Sequence, residues 1–256
     1  MFWRVRHFIK LNKVIRPYFS DLRVGYLDWM LQYHLDILGG VKSSELQRPV
    51  DNKGDPIPWL TYPAIDYLSQ FDYTSASIFE YGSGQSSLFW AARCKHITSV
   101  ESDKEWLAYC QQHARSNQRL VFRDEGAPEA YAAAIDDFDE SYYDVIVIDG
   151  KHRALCARRA LPRLAKHGMI ILDNSEWCPQ TVEILRLQGL LQVDFIGIGP
   201  LNRYTWCTSL FLQPTFKIPR LKTENRIEFL GRLDENHDGV TVLKRPRPYA
   251  PKRASS

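Results

Sequence analysis

Polar side chains follow five apolar segments of the sequence, at the points where the predicted strands end. They are Glu80 with Gly82 and Gly84, Glu101, Asp124, Asp149 with His152, and Asp173 with Asn174. Because ligands of open parallel sheets collect beyond the carboxyl ends of the strands, we expect these residues to line one site. Each acid has an alternative role as a helix N-cap, and Asp173 or Asn174 is placed to cap the helix that follows. Their convergence on one edge favours a ligand site.

The segment Ile78 to Ser87, IFEYGSGQSS, predicts a strand that enters a helix through a tight glycine turn, Glu80-Tyr81-Gly82-Ser83-Gly84. Glycines let the backbone approach a ligand, and the helix N-terminus offers unpaired N–H groups to it. A dinucleotide-binding turn would need a third glycine at position 87, where the sequence has serine. The Glu80 carboxylate would also repel a pyrophosphate. An NAD-dependent oxidoreductase is therefore an alternative that the turn disfavours.

The elements that must position these residues alternate regularly along the chain. Strands are predicted at 77–80, 97–101, 119–122, 144–149, 168–173, 191–196 and 207–212, and helices at 85–94, 103–116, 128–135, 153–165 and 176–188. Such alternation indicates right-handed crossovers between parallel strands. The last two strands have no helical pattern between them, which predicts an antiparallel hairpin at the sheet edge. The expected fold is α/β, with a doubly wound, mostly parallel seven-stranded sheet.

Charge and apolar spacing divide the chain into four predicted parts. They are an N-terminal helical extension (1–58), the α/β domain (59–213), a C-terminal extension (214–243) and a basic disordered tail (244–256). Residues 1–23 and 244–256 each carry a net charge of +5, so within a total of +3 the body between them is −7. An acidic body argues against a nucleic-acid groove. The first helix is expected to pack on the body or on a second subunit in a homo-oligomer, with a weak membrane-surface contact as the alternative.

The cysteines and the apolar content indicate a cytoplasmic protein. The five cysteines are scattered and show no C-x-x-C spacing, so neither a disulfide framework nor a zinc site is expected. No segment approaches eighteen consecutive apolar residues, and charges interrupt the apolar N-terminus. We therefore expect no membrane-spanning helix and no secretory signal.

The glycine turn, the acid after the second strand and Asp149-Gly150 after the fourth resemble a class I S-adenosylmethionine-dependent methyltransferase over roughly residues 75–213. The resemblance implies that Glu80, Tyr81, Gly82, Ser83 and Gly84 bind S-adenosyl-L-methionine near its methionine end. It also implies that Glu101 binds the ribose hydroxyls and that Asp124 lies near the adenine. The C-terminal hairpin agrees with the same fold.

A second resemblance concerns metal. Asp149, Asp173 and Asn174 are similar to the magnesium ligands of catechol-type and macrocin-type O-methyltransferases, and three hard oxygen ligands suit Mg²⁺. The metal would orient a substrate hydroxyl and lower its pKa. His152 stands where those families carry their proposed base. In the alternative interpretation, His152 and Arg153 only open a helix and the acid works without metal, as it does in many methyltransferases of this fold.

The resemblance implies O-methylation of a sugar or another small hydroxyl compound, with Mg²⁺ as a further expected cofactor. Trp177, Tyr204 and Trp206 are candidates for the wall of the substrate pocket. Lys151 and Arg153 are alternative contacts for a substrate phosphate or carboxylate. A non-catalytic methyltransferase-like module that binds partners through its basic ends is the remaining alternative.

Overall fold

The computed structural model describes residues 33–138 and 140–221, and its centre is one seven-stranded sheet. The strands lie in the order β3-β2-β1-β4-β5-β7-β6. Their bounds are β1 Ser77–Tyr81, β2 His96–Glu101, β3 Gln118–Phe122, β4 Tyr143–Ile148, β5 Leu164–Leu172, β6 Leu191–Gly197 and β7 Trp206–Leu212. The first five strands are parallel, and β7 runs antiparallel to both β5 and β6. The predicted sheet and its C-terminal hairpin are confirmed.

Helices cover both faces of the sheet. Their bounds are α1 Gly40–Leu46, α2 Tyr62–Leu68, α3 Gln85–Ala91, α4 Lys104–His113, α5 Pro128–Ala133, α6 Arg153–Ala160 and α7 Pro179–Arg186. The predicted helices at 153–165 and 176–188 were too long. Leu161–Arg163 and Ser175–Trp177 are 3₁₀ turns, and Leu164 already belongs to β5. Pro162 and Pro179 stand at these breaks, because proline lacks the N–H that a continuing helix requires.

Helix α1 and a single π-helical turn, Tyr33–Ile37, lie within the N-terminal part (1–58) that was predicted to be a helical extension. The helix predicted within residues 1–23 and the tail predicted at 244–256 lie outside the described residues. The four domain bounds stay predictions.

Alternate side chains of each central strand enter different cores. Ile78, Ile97, Val145 and Ile171 face a core completed by α2 and α3. Their neighbours face a second core completed by α5, α6 and α7, and they include Phe79, Tyr81, Val100, Ile146, Ile148, Ile170 and Phe211. Burying one such side chain contributes roughly 1.5–3 kcal/mol. The ends of β1, β2 and β4 are therefore held rigidly side by side, and the predicted site lies beyond them.

Helix length and cysteine state in the described residues concern the predicted cellular location of the protein. Among them, no helix has the length and apolar character that crossing a membrane requires. All five cysteines are free thiols. The expected cytoplasmic location stays a prediction.

Candidate active site

The glycine turn after β1 brings backbone from two strands into close contact. Gly82 has φ 105°, a conformation that glycine adopts at no steric cost, and its N–H donates to the Val100 carbonyl at 2.8 Å. A Cβ atom at Gly82 would lie 3.5 Å from the backbone of Asp149. The Trp106 indole N–H donates to the Ser83 carbonyl at 2.9 Å, which ties the turn to α4. The turn is thus fixed against β2, β4 and α4 together.

Glu80 is buried below this turn in a hydroxyl network. Its Oε2 accepts hydrogen bonds from Ser87 at 2.5 Å and Ser99 at 2.8 Å. Burial raises the pKa of this carboxyl, and the serine hydroxyls oppose that rise. Ser87 also accepts from the Gly84 N–H at 3.1 Å. The Ser87 hydroxyl therefore links Glu80 to the glycine turn. A dinucleotide-binding turn would need glycine at this position.

Glu101 ends β2, and both of its carboxylate oxygens accept hydrogen bonds. Its Oε1 accepts from the backbone N–H groups of Ser102 at 2.7 Å and Asp103 at 2.9 Å, while Oε2 accepts from the Ser83 hydroxyl at 2.8 Å. Each carboxylate oxygen has more than one lone pair, so acceptor capacity remains. A fixed carboxylate of this kind suits two neighbouring hydroxyls of a ligand.

A cavity of about 360 Å³ joins these groups to the end of β4, a size within the range of small-molecule sites. Its lining combines the glycine turn, the β2 end and the β4 end: Glu80, Gly82, Ser83, Ser86, Glu101, Ser102, Tyr131, Asp149, Gly150, Lys151 and Arg153. Five of the eleven predicted site residues therefore meet at one place, namely Glu80, Gly82, Ser83, Glu101 and Asp149. Ser86, Ser102 and Tyr131 also line the cavity and were not predicted, because none of them ends a strand or belongs to a glycine motif.

Gly150 lines this cavity and lies close to atoms of Tyr131, Gly82 and Tyr81. A Cβ atom there would lie 2.2 Å from the Tyr131 hydroxyl and 3.0 Å from the Gly82 nitrogen. Tyr131 is 1 % exposed and cannot move aside freely. Glycine at position 150 is what permits β1, β4 and α5 to meet at the cavity.

Asp149 lies at the rim of the cavity and pairs with Arg153. Its Oδ1 accepts from the Arg153 guanidinium at 3.0 Å, and Oδ2 accepts no hydrogen bond from any residue that the structure describes. Burial raises the pKa of this carboxyl, and the guanidinium opposes the rise. The side chain remains about one-third exposed. Asp149, which lines the cavity, therefore keeps one carboxylate oxygen without a hydrogen bond from the described residues.

The predicted magnesium ligands are held by other groups of the protein. Asp173 is 3 % exposed, and its Oδ1 accepts from Trp206 at 3.0 Å and Thr208 at 2.6 Å. The Arg153 guanidinium lies between Asp149 and Asn174. Within residues 33–138 and 140–221, no three His, Cys, Asp or Glu side chains are grouped to hold a metal ion. The arrangement does not fit Mg²⁺.

Three other predicted residues point elsewhere. His152 has its Nε2 2.7 Å from the Glu125 carbonyl and is not among the residues that line the cavity. Asp124 is exposed and accepts from the Gly126 N–H at 2.9 Å. Tyr81 is fully buried and donates to the Ala132 carbonyl at 2.7 Å. Only the backbone of Tyr81 adjoins the turn.

The aromatic residues proposed as a pocket wall divide into two groups. Trp177 and Tyr204 are 63 % and 51 % exposed, whereas Trp206 is 2 % exposed and donates to Asp173. Tyr204 and Trp206 make an edge contact with ring centroids 5.9 Å apart. Trp177 and Tyr204 are therefore available to a ligand, and Trp206 belongs to the fold.

Comparison with known proteins identifies the central part of this chain. Residues 79–175 match the family model described as a methyltransferase domain. No curated protein matches the chain.

Solved structures with detectable likeness include a precorrin-6y C5,15-methyltransferase from Geobacter metallireducens, at 17 % identity over 58 % of this chain and 87 % of that chain, with a TM-score of 0.42. A methyltransferase-like protein from Silicibacter pomeroyi is 20 % identical over 62 % of this chain and 90 % of that chain, with a TM-score of 0.43. The N-methyltransferase NodS from Bradyrhizobium japonicum is 14 % identical over 58 % of this chain and 90 % of that chain, with a TM-score of 0.41.

The family match begins inside β1, includes the glycine turn, Glu101 and Asp149, and ends just after β5. It thus covers the strands whose ends form the cavity. The match shows a methyltransferase domain in this part of the chain, and such a domain implies S-adenosylmethionine as its methyl donor.

Proposed function

We propose that this enzyme methylates a hydroxyl group of a small molecule, a sugar or another hydroxyl compound. The observation that carries the proposal is the position of Asp149. Asp149 lines the same cavity as Glu101 and the glycine turn, and its Oδ2 accepts no hydrogen bond from the residues that the structure describes. An acceptor oxygen beside the methyl-donor site suits a substrate that must lose a proton as it is methylated.

The residues of the cavity fit S-adenosylmethionine. Glu101 offers carboxylate oxygens to the ribose hydroxyls, and the Gly82–Gly84 turn lets the backbone approach the methionine end. When bound, the cofactor supplies a methyl group on a positively charged sulfur. The cavity lining carries acids near this charge, and Glu80 and Asp149 are among them. The chain's own contribution is to bind and align both partners, because in-line displacement depends chiefly on positioning.

Asp149 is proposed to accept the hydrogen bond, and then the proton, of the substrate hydroxyl. Arg153 holds one carboxylate oxygen in place, which leaves the other available. His152 stays a second candidate for proton acceptance. For that role its ring must leave the Glu125 carbonyl, since the Nε2 atom is engaged there. Magnesium assistance is not part of this proposal, because the Arg153 guanidinium already contacts Oδ1 of Asp149 and Oδ1 of Asn174, and Oδ1 of Asp173 accepts from Trp206 and Thr208.

The exposed aromatic side chains fit a proposed acceptor surface. Trp177 follows β5 and Tyr204 lies on the connection to β7, which pairs with β5, so both stand near the carboxyl end of β5. An aromatic face packs against the apolar face of a sugar or against a flat ring. Both acceptor classes therefore belong in the screen.

The test is a screen with S-adenosylmethionine that carries a radiolabelled methyl group. Sugars, sugar nucleotides and phenols are offered as acceptors, and the labelled product is treated with mild base. We expect base-stable label, as an O-methyl ether gives, and loss of labelling in Asp149→Ala. Label on nitrogen, base-labile methyl ester, or full turnover by Asp149→Ala would refute the proposal.

His152→Ala tests the second candidate base. A general base contributes roughly 10²–10⁴ in rate, so a loss of that size with an altered pH profile would assign the role to His152. His113→Ala is the matched control, because His113 lies exposed at the end of α4, where its Nδ1 contacts the Tyr109 carbonyl. An unchanged pH profile in His152→Ala removes that residue from the role.

A further inference from the structure

Arg153 occupies the gap between the ends of β4 and β5. Its Nε donates to the Gly150 carbonyl at 3.1 Å, and Nη2 donates to Asp149 through the carbonyl at 3.2 Å and Oδ1 at 3.0 Å. Nη1 donates to the Asp173 carbonyl, and both Nη atoms lie 3.4 Å from Asn174 Oδ1. One guanidinium therefore links both strand ends through oxygen atoms alone.

These oxygens are the ones that a divalent cation would need. Asp149 Oδ1 and Asn174 Oδ1 are two of the three predicted metal ligands, and the guanidinium contacts both. Oδ1 of the third, Asp173, accepts hydrogen bonds from Trp206 and Thr208. Mg²⁺ requires several oxygen ligands in near-octahedral geometry. With Arg153 present, the two strand ends already hold a cation that the chain supplies.

The position of Arg153 is unfavourable for a cation without such partners. It is the first residue of α6, where the helix macrodipole favours negative charge. Its side chain is only 17 % exposed, so it has lost most of its contact with water. The surrounding oxygens compensate for both effects. Asn174 contributes from a left-handed backbone conformation, φ 44°, which asparagine tolerates better than most residues. The contacts of Arg153 with Asp149 and Asn174 therefore account for an arginine at this position better than the start of α6 does.

We propose that Arg153 is a positioning residue that replaces a divalent metal ion in this methyltransferase, so that methyl transfer is metal-independent. The planar fork of the guanidinium fixes Asp149 by one oxygen and leaves the other for the substrate. It also balances the negative charge of Asp149 at the rim of the cavity. The claim that the site binds no metal ion does not depend on the acceptor. The claim that Arg153 affects turnover rests on the proposed hydroxyl methylation.

The first experiment needs no methyl acceptor. MgCl₂, and separately MnCl₂, is titrated by calorimetry into the full-length protein saturated with S-adenosylhomocysteine. We expect no saturable binding in the millimolar range. One ion bound per chain, lost in Asp149→Asn, would overturn the proposal even if no acceptor had been found.

The second experiment uses the hydroxyl acceptor from the screen. Arg153→Ala should lower kcat by about 10²-fold, the loss that a misplacement of about 1 Å can cause, with a KM for S-adenosylmethionine close to wild type. Arg158→Ala is the matched control, because Arg158 lies exposed on the same helix. EDTA should leave wild-type turnover unchanged.

Chemical rescue separates positioning from a merely structural role. Guanidinium ion at non-denaturing concentration should restore part of the turnover of Arg153→Ala and leave Arg158→Ala unaffected. Arg153→Lys should recover less than full turnover, since an ammonium group cannot contact Gly150, Asn174 and Asp149 in one plane. Equal kcat in Arg153→Ala and Arg158→Ala, absence of rescue, or wild-type turnover abolished by EDTA and restored by Mg²⁺ would each overturn the proposal.

Discussion

Replacing Gly150 by alanine should disturb the fold and the cofactor site together. The added Cβ would lie 2.2 Å from the Tyr131 hydroxyl, against an ordinary contact distance of 3.4 Å or more. It would also lie 3.0 Å from both the Gly82 nitrogen and the Tyr81 carbonyl carbon. Tyr131 must retreat by roughly 1 Å, and it is packed in the core. The strand ends at the glycine turn must also separate.

Overpacking of this kind costs about 1–3 kcal/mol of unfolding free energy. For a domain of this size the melting temperature should fall by about 2–12 °C. The assay is denaturant unfolding of Gly150→Ala beside calorimetric binding of S-adenosylhomocysteine, which we expect to weaken. Gly126→Ala is the control, because its added Cβ would meet only the end of the exposed Asp124 side chain, at 3.3 Å.

A double variant tests the contact between the added Cβ at position 150 and the Tyr131 hydroxyl. Gly150→Ala combined with Tyr131→Phe lacks the hydroxyl that clashes, so it should regain part of the lost stability. The two contacts at 3.0 Å remain, and recovery should therefore be incomplete. Wild-type stability in Gly150→Ala, or no recovery in the double variant, would refute this reasoning.

Three further outcomes are expected. Glu101→Ala should weaken S-adenosylhomocysteine binding at least tenfold by calorimetry, because a charged acceptor contributes about 1.5–3 kcal/mol per hydrogen bond. An unchanged affinity would refute its ribose role. Trp106→Ala should also weaken that binding, since its indole holds the Ser83 carbonyl, and hydrogen exchange at the glycine turn should rise. Burial and the Asp149 charge raise the pKa of Asp173, so the folded state retains a proton that the unfolded chain releases. Stability should therefore fall as pH rises above about 4, and urea unfolding of Asp173→Asn should show a flatter profile.

The strands were predictable because their signals are local. Val145-Ile146-Val147-Ile148 is a fully apolar run of the kind that a central parallel strand shows, and the structure buries all four side chains. Helix lengths were less accurate. Apolar spacing continued through Pro162 and Pro179, but the backbone changed conformation at both positions. The bounds of helix α1 within the N-terminal extension were not predicted, because its sequence, GVKSSEL, carries almost no apolar periodicity.

The site residues that have local signals in the sequence were also predicted, and those that depend on distant partners were not. The glycine turn, Glu101 and Asp149 lie at strand ends that the sequence makes visible, and the structure brings them to one cavity. The partners of Asp173 could not be predicted, because Trp206 and Thr208 lie 33 and 35 residues away along the chain. Arg153 was predicted to open a helix or to contact substrate, since its oxygen partners come from two loops whose geometry only the fold determines. Tyr131 was missed for the same reason.

The central claim is that the cavity beyond β1, β2 and β4 is the methyl-donor site. The most direct test is calorimetric titration of the purified protein with S-adenosylmethionine and, separately, with NAD, each with and without Mg²⁺. The account predicts one S-adenosylmethionine per chain in the micromolar range, weakened in Glu101→Ala, no NAD binding, and no effect of Mg²⁺. Binding of NAD alone, or S-adenosylmethionine affinity that Glu101→Ala leaves unchanged, would contradict it.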